Sequence, residues 1–570
     1  MLQKLALDKH APWKQRFRAP LIRWARIANL NPQRGLVCTD RDGILQLYGW
    51  DRDNDELTQL TDQPSGVVEG LISADGEYIY YLQDEGGNEI GHFVRVPFGG
   101  GKPEDVTPEL PLYSSFLIHQ SFSGNLLGIR LAEADEYRLY VFLPGQPPRP
   151  LYKNHNLFMD PSISYGGEVV VIGSTEGTGS MDTRLLALDS KSGQIIAELW
   201  EGEGISHGLG DFAPRPGDLR ILTSTSRSGY TRPMIWDVST GSCRDLDLHD
   251  MPGDVEGWCW SRDAKLVLLS QLIHAKRQLY LYDLETDRIC EVEHPSGLIG
   301  SHYDKGVFTE EGEILITWQD PAHPTRLIRL DGRREEPSTV LSAGEVPEGI
   351  PWESVTYLSE NGDTVQAWLA VPEAEGPFPT IFHVKGGPTS VMLEFFSPEC
   401  QAWLDHGFAF FSINYHGSIS LGKDFEKAII GRLGELEVQD MAAGVRWLVE
   451  KGIADPGKVF VTGESYGGYL TLLALGKRPD LWAGGMAGIA IADWSLLYED
   501  SSDALRGYQR VMFGGTPEQM PETYAESSPI TYAEHIQAPL LVIQGTNDSR
   551  CPARQMQVYE EKLRSLGKQI

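Results

Sequence analysis

The first 340 residues repeat at a nearly constant interval, and this regularity constrains the fold more than any single motif does. A short β-rich run recurs as Leu47-Tyr48-Gly49-Trp50-Asp51, Phe93-Val94-Arg95-Val96-Pro97 and Leu139-Tyr140-Val141-Phe142-Leu143. It returns as Leu185 to Asp189, Pro233 to Asp237, Leu279 to Asp283 and Leu327 to Asp331. The runs end at 51, 97, 143, 189, 237, 283 and 331, so every step is 46 or 48 residues. A second marker runs out of phase with the first: a turn residue, then an apolar strand. Gly76, Gly124, Gly167, Gly217, Ala264 and Gly312 stand at those turns. A period in the forties with several short strands per unit is the pattern of propeller blades, each of which buries its faces against its neighbours. Seven markers predict seven blades around a central channel. The competing reading is an irregular all-β sandwich, for which the constant step would be coincidence.

Around residues 341–351 glycine and proline punctuate a linker, and the pattern changes. Residues 364–371, 380–384 and 408–413 read as strands, and residues 438–450 carry helical spacing. Strands at 458–462, 485–491 and 540–543 follow, with a helix over 552–566. Alternating β and α predicts a doubly wound, mostly parallel sheet whose ligands sit beyond the carboxyl ends of the strands. The expected organisation is therefore a helical segment over 1–29 packed on the second domain, a propeller over 30–340, and an α/β-hydrolase domain over 341–570. Trp13, Phe17, Leu21, Ile22 and residues 24–27 give the first segment its amphipathic character, with Pro20 as a break.

The chemistry is concentrated in Gly463-Glu464-Ser465-Tyr466-Gly467-Gly468, between a strand-like and a helix-like run. A G-x-S-x-G in that context is a nucleophile elbow, a tight turn that lifts a serine hydroxyl clear of the sheet. At ordinary glycine usage a chance match is expected roughly 0.2 times in a chain this long. Ser465 is therefore the candidate nucleophile, with a structural turn serine as the bland alternative. Asp548, on the loop after the 540–543 strand, fits the chain order Ser, Asp, His; its alternative role is a cap for the helix near Pro552. Two N–H donors are needed for a developing oxyanion. One is assigned to Tyr466, the other to Gly387 in Lys385-Gly386-Gly387-Pro388, where the alternative is a plain tight turn.

Composition removes other classes. A net charge of −31 disfavours nucleic acid and anionic membranes as partners. The six cysteines show neither C-x-x-C pairs nor ligand-like spacing, which predicts reduced thiols and no metal site. Residues 1–24 are interrupted by charges and carry no signal-peptide core, and no run is long enough to span a membrane. A cytoplasmic location and no cofactor are the expectations. The sequence does not decide oligomeric state; a homo-oligomer is compatible with it.

The elbow resembles that of the prolyl oligopeptidase family of serine peptidases. Asn414-Tyr415-His416-Gly417-Ser418 is similar to that family's Asn-Tyr-Arg-Gly-Ser segment, and Asn547-Asp548-Ser549-Arg550-Cys551-Pro552 resembles the acylaminoacyl-peptidase branch most closely. The resemblance covers almost the whole chain. It implies an oligopeptidase whose propeller restricts access to short peptides. Lys385 departs from the family's histidine or tyrosine, and His416 from its arginine. The family's catalytic histidine follows the aspartate by roughly thirty residues, which falls beyond Ile570; on that expectation the sheet stops before its last strand and the chain as given is nearly inert. His535, His383 and His416 are weak substitutes for it. Arg550 is a candidate to bind a substrate carbonyl or carboxylate, with a surface ion pair as the alternative. Glu85, Glu89, Glu133 and Glu136 are available for the amine capture that dipeptidyl relatives perform, but nothing in the sequence aims them. A carboxylesterase on the same fold and a non-catalytic scaffold are the competing functions.

Overall fold

The computed structural model describes residues 4–570 except 116, 133–135, 157, 179–181, 302, 332–336, 343, 502, 547 and 549, with 503 and 504 described in backbone only. Glu133 and two residues of the Asn547–Pro552 motif thus lie outside the described residues.

Residues 22–341 form consecutive antiparallel units of about four strands. The recurring sequence marker is the third strand of each unit, as in Gln46–Asp51, Arg184–Asp189 and Arg232–Asp237. The turn-plus-strand marker is the second, as in Val169–Ser174 and Arg220–Thr225. Units two and three share one sheet because the short strand Tyr113–Ser114 pairs with both Ile90–Pro97 and Leu127–Ala132.

The reason these units need one another is visible in a single strand. Val169 and Val171 pack with Phe212, Ile221 and Trp236 of the following unit. Val170 and Ile172, on the opposite face, pack with Leu126, Leu139 and Val141 of the preceding one. Among the described residues every pair of neighbouring units has its own apolar cluster, including first against last, where Ile22, Ala25 and Ile27 meet Leu315 and Leu327. Seven blades close into a ring, and their inner strands line an axial cavity of about 460 Å³ that includes Ile72, Ile118, Ile163, Phe212 and Trp260.

The N-terminal segment departs from the sequence expectation. Helix α1 is confined to Pro12–Phe17, and Ile22–Ile27 is a strand, the innermost of the first blade. The propeller thus begins near residue 22 rather than 30. Both faces of this strand are covered, Trp24 by one neighbour and Ile22, Ala25 and Ile27 by the other. Its apolar run therefore lacks the alternation that separates strand from helix. The segment before it does reach the C-terminal region: Arg16, 4% exposed, pairs with Asp405 at 2.7 Å.

The C-terminal sheet contains β1 (Glu353–Leu358), β2 (Thr364–Ala370), β3 (Phe378–Val384), β4 (Ala409–Asn414), β5 (Ala454–Glu464), β6 (Gly484–Gly488) and β7 (Leu540–Ile543). Their order is β1-β2-β4-β3-β5-β6-β7. The β1–β2 and β2–β4 pairs are antiparallel and the rest parallel. Helices α2 (Pro398–Asp405), α3 (Leu436–Glu450), α4 (Tyr466–Lys477) and α5 (Ala553–Ser565) flank it. The core lies between α3, α4 and the strands, with Phe382, Val461, Met441, Leu470 and Leu473 at its centre. β7 is the outer strand, and Leu541 and Ile543 stand exposed on it. The two regions touch where Ala275 N–H donates to Ser420 Oγ at 3.1 Å and Phe396 N–H to Gln319 Oε1 at 3.1 Å. Among the described residues no helix is long and apolar enough to cross a membrane.

Candidate active site

Ser465 stands between the end of β5 and the first residue of α4, with φ 54° and ψ −120°. A non-glycine residue in this region is strained and persists only where its surroundings fix it. They do so here. Ser465 N–H donates to Gly488 O at 3.0 Å, and Ser465 O accepts Tyr469 N–H at 2.9 Å. The flanking glycines make the turn sterically feasible. A Cβ on Gly463 would lie 2.4 Å from Val384 O, and one on Gly467 would lie 2.0 Å from the same oxygen. Gly467→Ala is therefore expected to push α4 off the end of β3, with a stability loss of about 3 kcal/mol, checked by urea unfolding.

Tyr466 opens α4, so its N–H has no intrahelical partner. The Gly386–Gly387 backbone passes directly in front of Ser465: a Cβ on Gly386 would lie 3.7 Å from Ser465 Cβ. Gly387 has φ 65°, a conformation glycine adopts freely. The N–H-bearing turn at 386–387 and the helix opening at 466 therefore border the same serine.

Asp548 Oδ1 accepts the N–H groups of Arg550 at 2.8 Å and Cys551 at 2.9 Å. The N-cap of α5 is Pro552, without a side-chain bond, so Asp548 closes the preceding turn and does not cap the helix. Among the described residues no hydrogen bond reaches Asp548 Oδ2 and no ion pair engages the exposed Arg550 guanidinium. Cys551 connects the two candidate residues. Its buried thiol lies near Ser465, and burial pushes it up to about 11, with the Asp548 charge acting in the same direction and the Ser465 hydroxyl against them. Nothing in the residue order marks this thiol as a neighbour of the serine except its closeness to Asp548 along the chain.

The three histidines weighed as substitutes serve other purposes. His383 in β3 bonds Ser412 Oγ at 2.8 Å, and burial lowers it to about 4, so it stays neutral. His535 ends the 3-10 segment Pro529–His535, which enters β7 from the end opposite Asp548. His416 is 1% exposed and spends both ring nitrogens on carboxylates, Asp440 at 2.8 Å and Asp363 at 3.0 Å. Among the acidic candidates for amine capture, Glu136 is paired with Arg138 and Lys153.

Two buried ionisable groups lie behind the Ser465 turn: Lys385, from the loop that carries Gly387, and Glu437, which no motif announced. Lys385, 5% exposed, is lowered to about 7 by burial, against the pull of Glu437. Glu437, fully buried in α3, is raised to about 7 by burial and accepts the Tyr466 hydroxyl at 2.7 Å and Gly434 N–H at 3.0 Å. Among the described residues no cluster of metal-ligating side chains occurs.

The model of the prolyl oligopeptidase family matches residues 394–570. The chain is 30% identical over 553 residues to dipeptidyl aminopeptidase BIII of Pseudoxanthomonas mexicana, a match spanning 89% of this chain and 76% of that one. It is 28% identical over 275 residues to the uncharacterized peptidase YuxL of Bacillus subtilis, spanning 46% of this chain and 40% of the relative. A crystal structure of puromycin hydrolase superposes with a TM-score of 0.83 over 99% of this chain and 91% of its own, at 18% identity, a likeness in fold. With a matching family model over the hydrolase region and a 30% identical relative aligned across propeller and sheet alike, this chain belongs to the prolyl oligopeptidase family.

Proposed function

We propose that this protein is a serine peptidase that cleaves short peptides through an acyl-enzyme on Ser465. The observation that carries the reading is the strained Ser465 turn, with the free N–H of Tyr466 on one side and the Gly386–Gly387 backbone on the other. Ser465 Oγ attacks the scissile carbonyl carbon while a base takes its proton. The carbonyl oxygen becomes an oxyanion between the N–H groups of Tyr466 and Gly387, which need no reorganisation as charge forms. Collapse expels the amine with a proton from the base. Water then attacks the acyl ester and releases the acid, restoring Ser465. Asp548 is the carboxylate that orients the base through Oδ2, its other oxygen being occupied by the turn.

The propeller's role in this reading is to limit access. Blade residues Ala275 and Gln319 bond Ser420 and Phe396, on the loops that follow β4 and β3, and in this reading the ring admits short peptides and refuses folded proteins. The acylaminoacyl-peptidase type of substrate, a blocked short peptide, is favoured by the motif around Asp548. Reaction of the full-length protein with a fluorophosphonate, followed by peptide mapping, tests the assignment. Labelling is expected at Ser465, and labelling elsewhere or none would refute it. Comparing a blocked aminoacyl anilide with a p-nitrophenyl ester separates a peptidase from an esterase.

Arg550 carries a separable expectation. Its exposed guanidinium at the mouth of the site suits a substrate carbonyl or carboxylate. Arg550→Ala is expected to lower peptide turnover about tenfold relative to ester turnover, the worth of one charge-assisted hydrogen bond. Equal loss on both substrates would remove it from this role.

A further inference from the structure

Lys385 departs from the family pattern, and its side chain is buried over the Tyr415 ring. Its ammonium lies 3.4 Å from Gly387 O, 3.4 Å from Pro388 O and 3.3 Å from Ser390 Oγ, and 3.9 Å from the centre of the Tyr415 ring. Ser390 accepts from Lys385 and donates its own proton to Gly386 O at 2.8 Å. The Tyr415 hydroxyl lies 3.0 Å from both Lys385 O and Gly387 O. The carbonyl oxygens of 385, 386, 387 and 388 are thus all held by donors within the protein.

A trans peptide is planar, and its N–H points opposite to its C=O. Fixing Gly386 O through Ser390 therefore fixes the direction of the Gly387 N–H on the same peptide unit. Glycine on both sides leaves this unit free to rotate unless something holds it. We propose that Lys385 is a positioning residue for the oxyanion hole: through Ser390 it locks the Gly386–Gly387 peptide so that the Gly387 N–H faces the carbonyl oxygen attacked at Ser465. The inference rests on the peptidase reading above and adds to it the part that aims one of its two donors. Across the hole, Glu437 holds the phenol of Tyr466, whose ring stacks on Tyr415 at 6.1 Å, so both donor-bearing residues are braced from behind by buried groups.

The test uses Lys385→Met, Ser390→Ala and Ser390→Thr in the full-length protein. Lys385→Met and Ser390→Ala are expected to lower kcat about 10- to 100-fold with KM within about threefold. Both should weaken a peptide aldehyde, whose adduct bears the oxyanion, by the same factor as kcat/KM, while a product-like peptide acid binds unchanged. Ser390→Thr keeps the hydroxyl and should restore most activity. The double variant Lys385→Met/Ser390→Ala should be no worse than the poorer single one, because both act through one bond. Unchanged aldehyde affinity in Ser390→Ala, or fully additive losses, would overturn the proposal. Ser390→Ala removes a single oxygen and carries the test if Lys385→Met does not fold. A parent protein that a fluorophosphonate does not label at Ser465 counts against the peptidase reading and takes this inference with it. A labelled parent with unaffected variants counts against this inference alone.

Discussion

Replacing Ser465 with alanine is expected to reduce hydrolysis of a blocked aminoacyl anilide by the full-length protein on the order of 10⁴-fold or more, with the fold intact. The size follows from what is removed. The hydroxyl forms the covalent bond that divides peptide cleavage into two lower barriers, and no neighbouring group replaces it. The Cys551 thiol lies nearby, but burial holds it up near 11, so it is protonated at neutral pH and a poor nucleophile. Residual turnover would come from the oxyanion donors and substrate binding alone. Because Ser465 occupies a conformation that alanine tolerates no better and no worse, urea unfolding of the variant should match the parent. Full turnover in Ser465→Ala would refute the serine-peptidase reading.

His416→Leu is expected to destabilise the protein by about 3 kcal/mol, because it leaves Asp440, fully buried, without its main partner. Asp440 also accepts His416 N–H at 2.7 Å, a bond the variant keeps, and the Ser359 hydroxyl. Burial alone would push the imidazole down. The hydrogen bonds and charges of Asp440, and after it Asp363, outweigh burial and hold it above its ordinary value. A group raised on folding stabilises fully below its unfolded pKa, here about 6.5, and that contribution disappears as pH rises through the folded value. The gap in unfolding free energy between parent and His416→Leu should therefore be widest near pH 5.5 and narrow toward pH 9, as read by urea titration at both. A gap that widens with pH would contradict the charged pair. This ion pair gives His416 a physical role in this chain: its imidazole neutralises a carboxylate in α3.

Much of this molecule was legible in the order of its residues because two of its signals are local. The spacing of the blades reports a repeated unit that must bury both faces against copies of itself, and each sequence marker fell on the second or third strand of a unit. The elbow is local in its residues, a G-x-S-x-G between a strand and a helix, although what forbids a side chain at Gly463 and Gly467 is the carbonyl of Val384 in the neighbouring strand. The first strand, Ile22–Ile27, was not legible. Covered on one face by the next blade and on the other by the last blade of the ring, it carries an apolar run that a helix would share.

What the amino-acid order determined on its own was therefore a ring of β units followed by a doubly wound sheet with a serine at a strand-to-helix turn. Only the tertiary structure decided how that serine is surrounded. The Lys385–Ser390 loop, Tyr415 and Glu437 come from separate segments, and no spacing connects them. Cys551 reaches Ser465 because β6 and β7 lie side by side next to β5, bringing a loop from the far end of the chain to the turn. The physical reason is the same in each case. Turns and strand faces are set by neighbours along the chain, whereas buried charge and its compensation are set by neighbours in space.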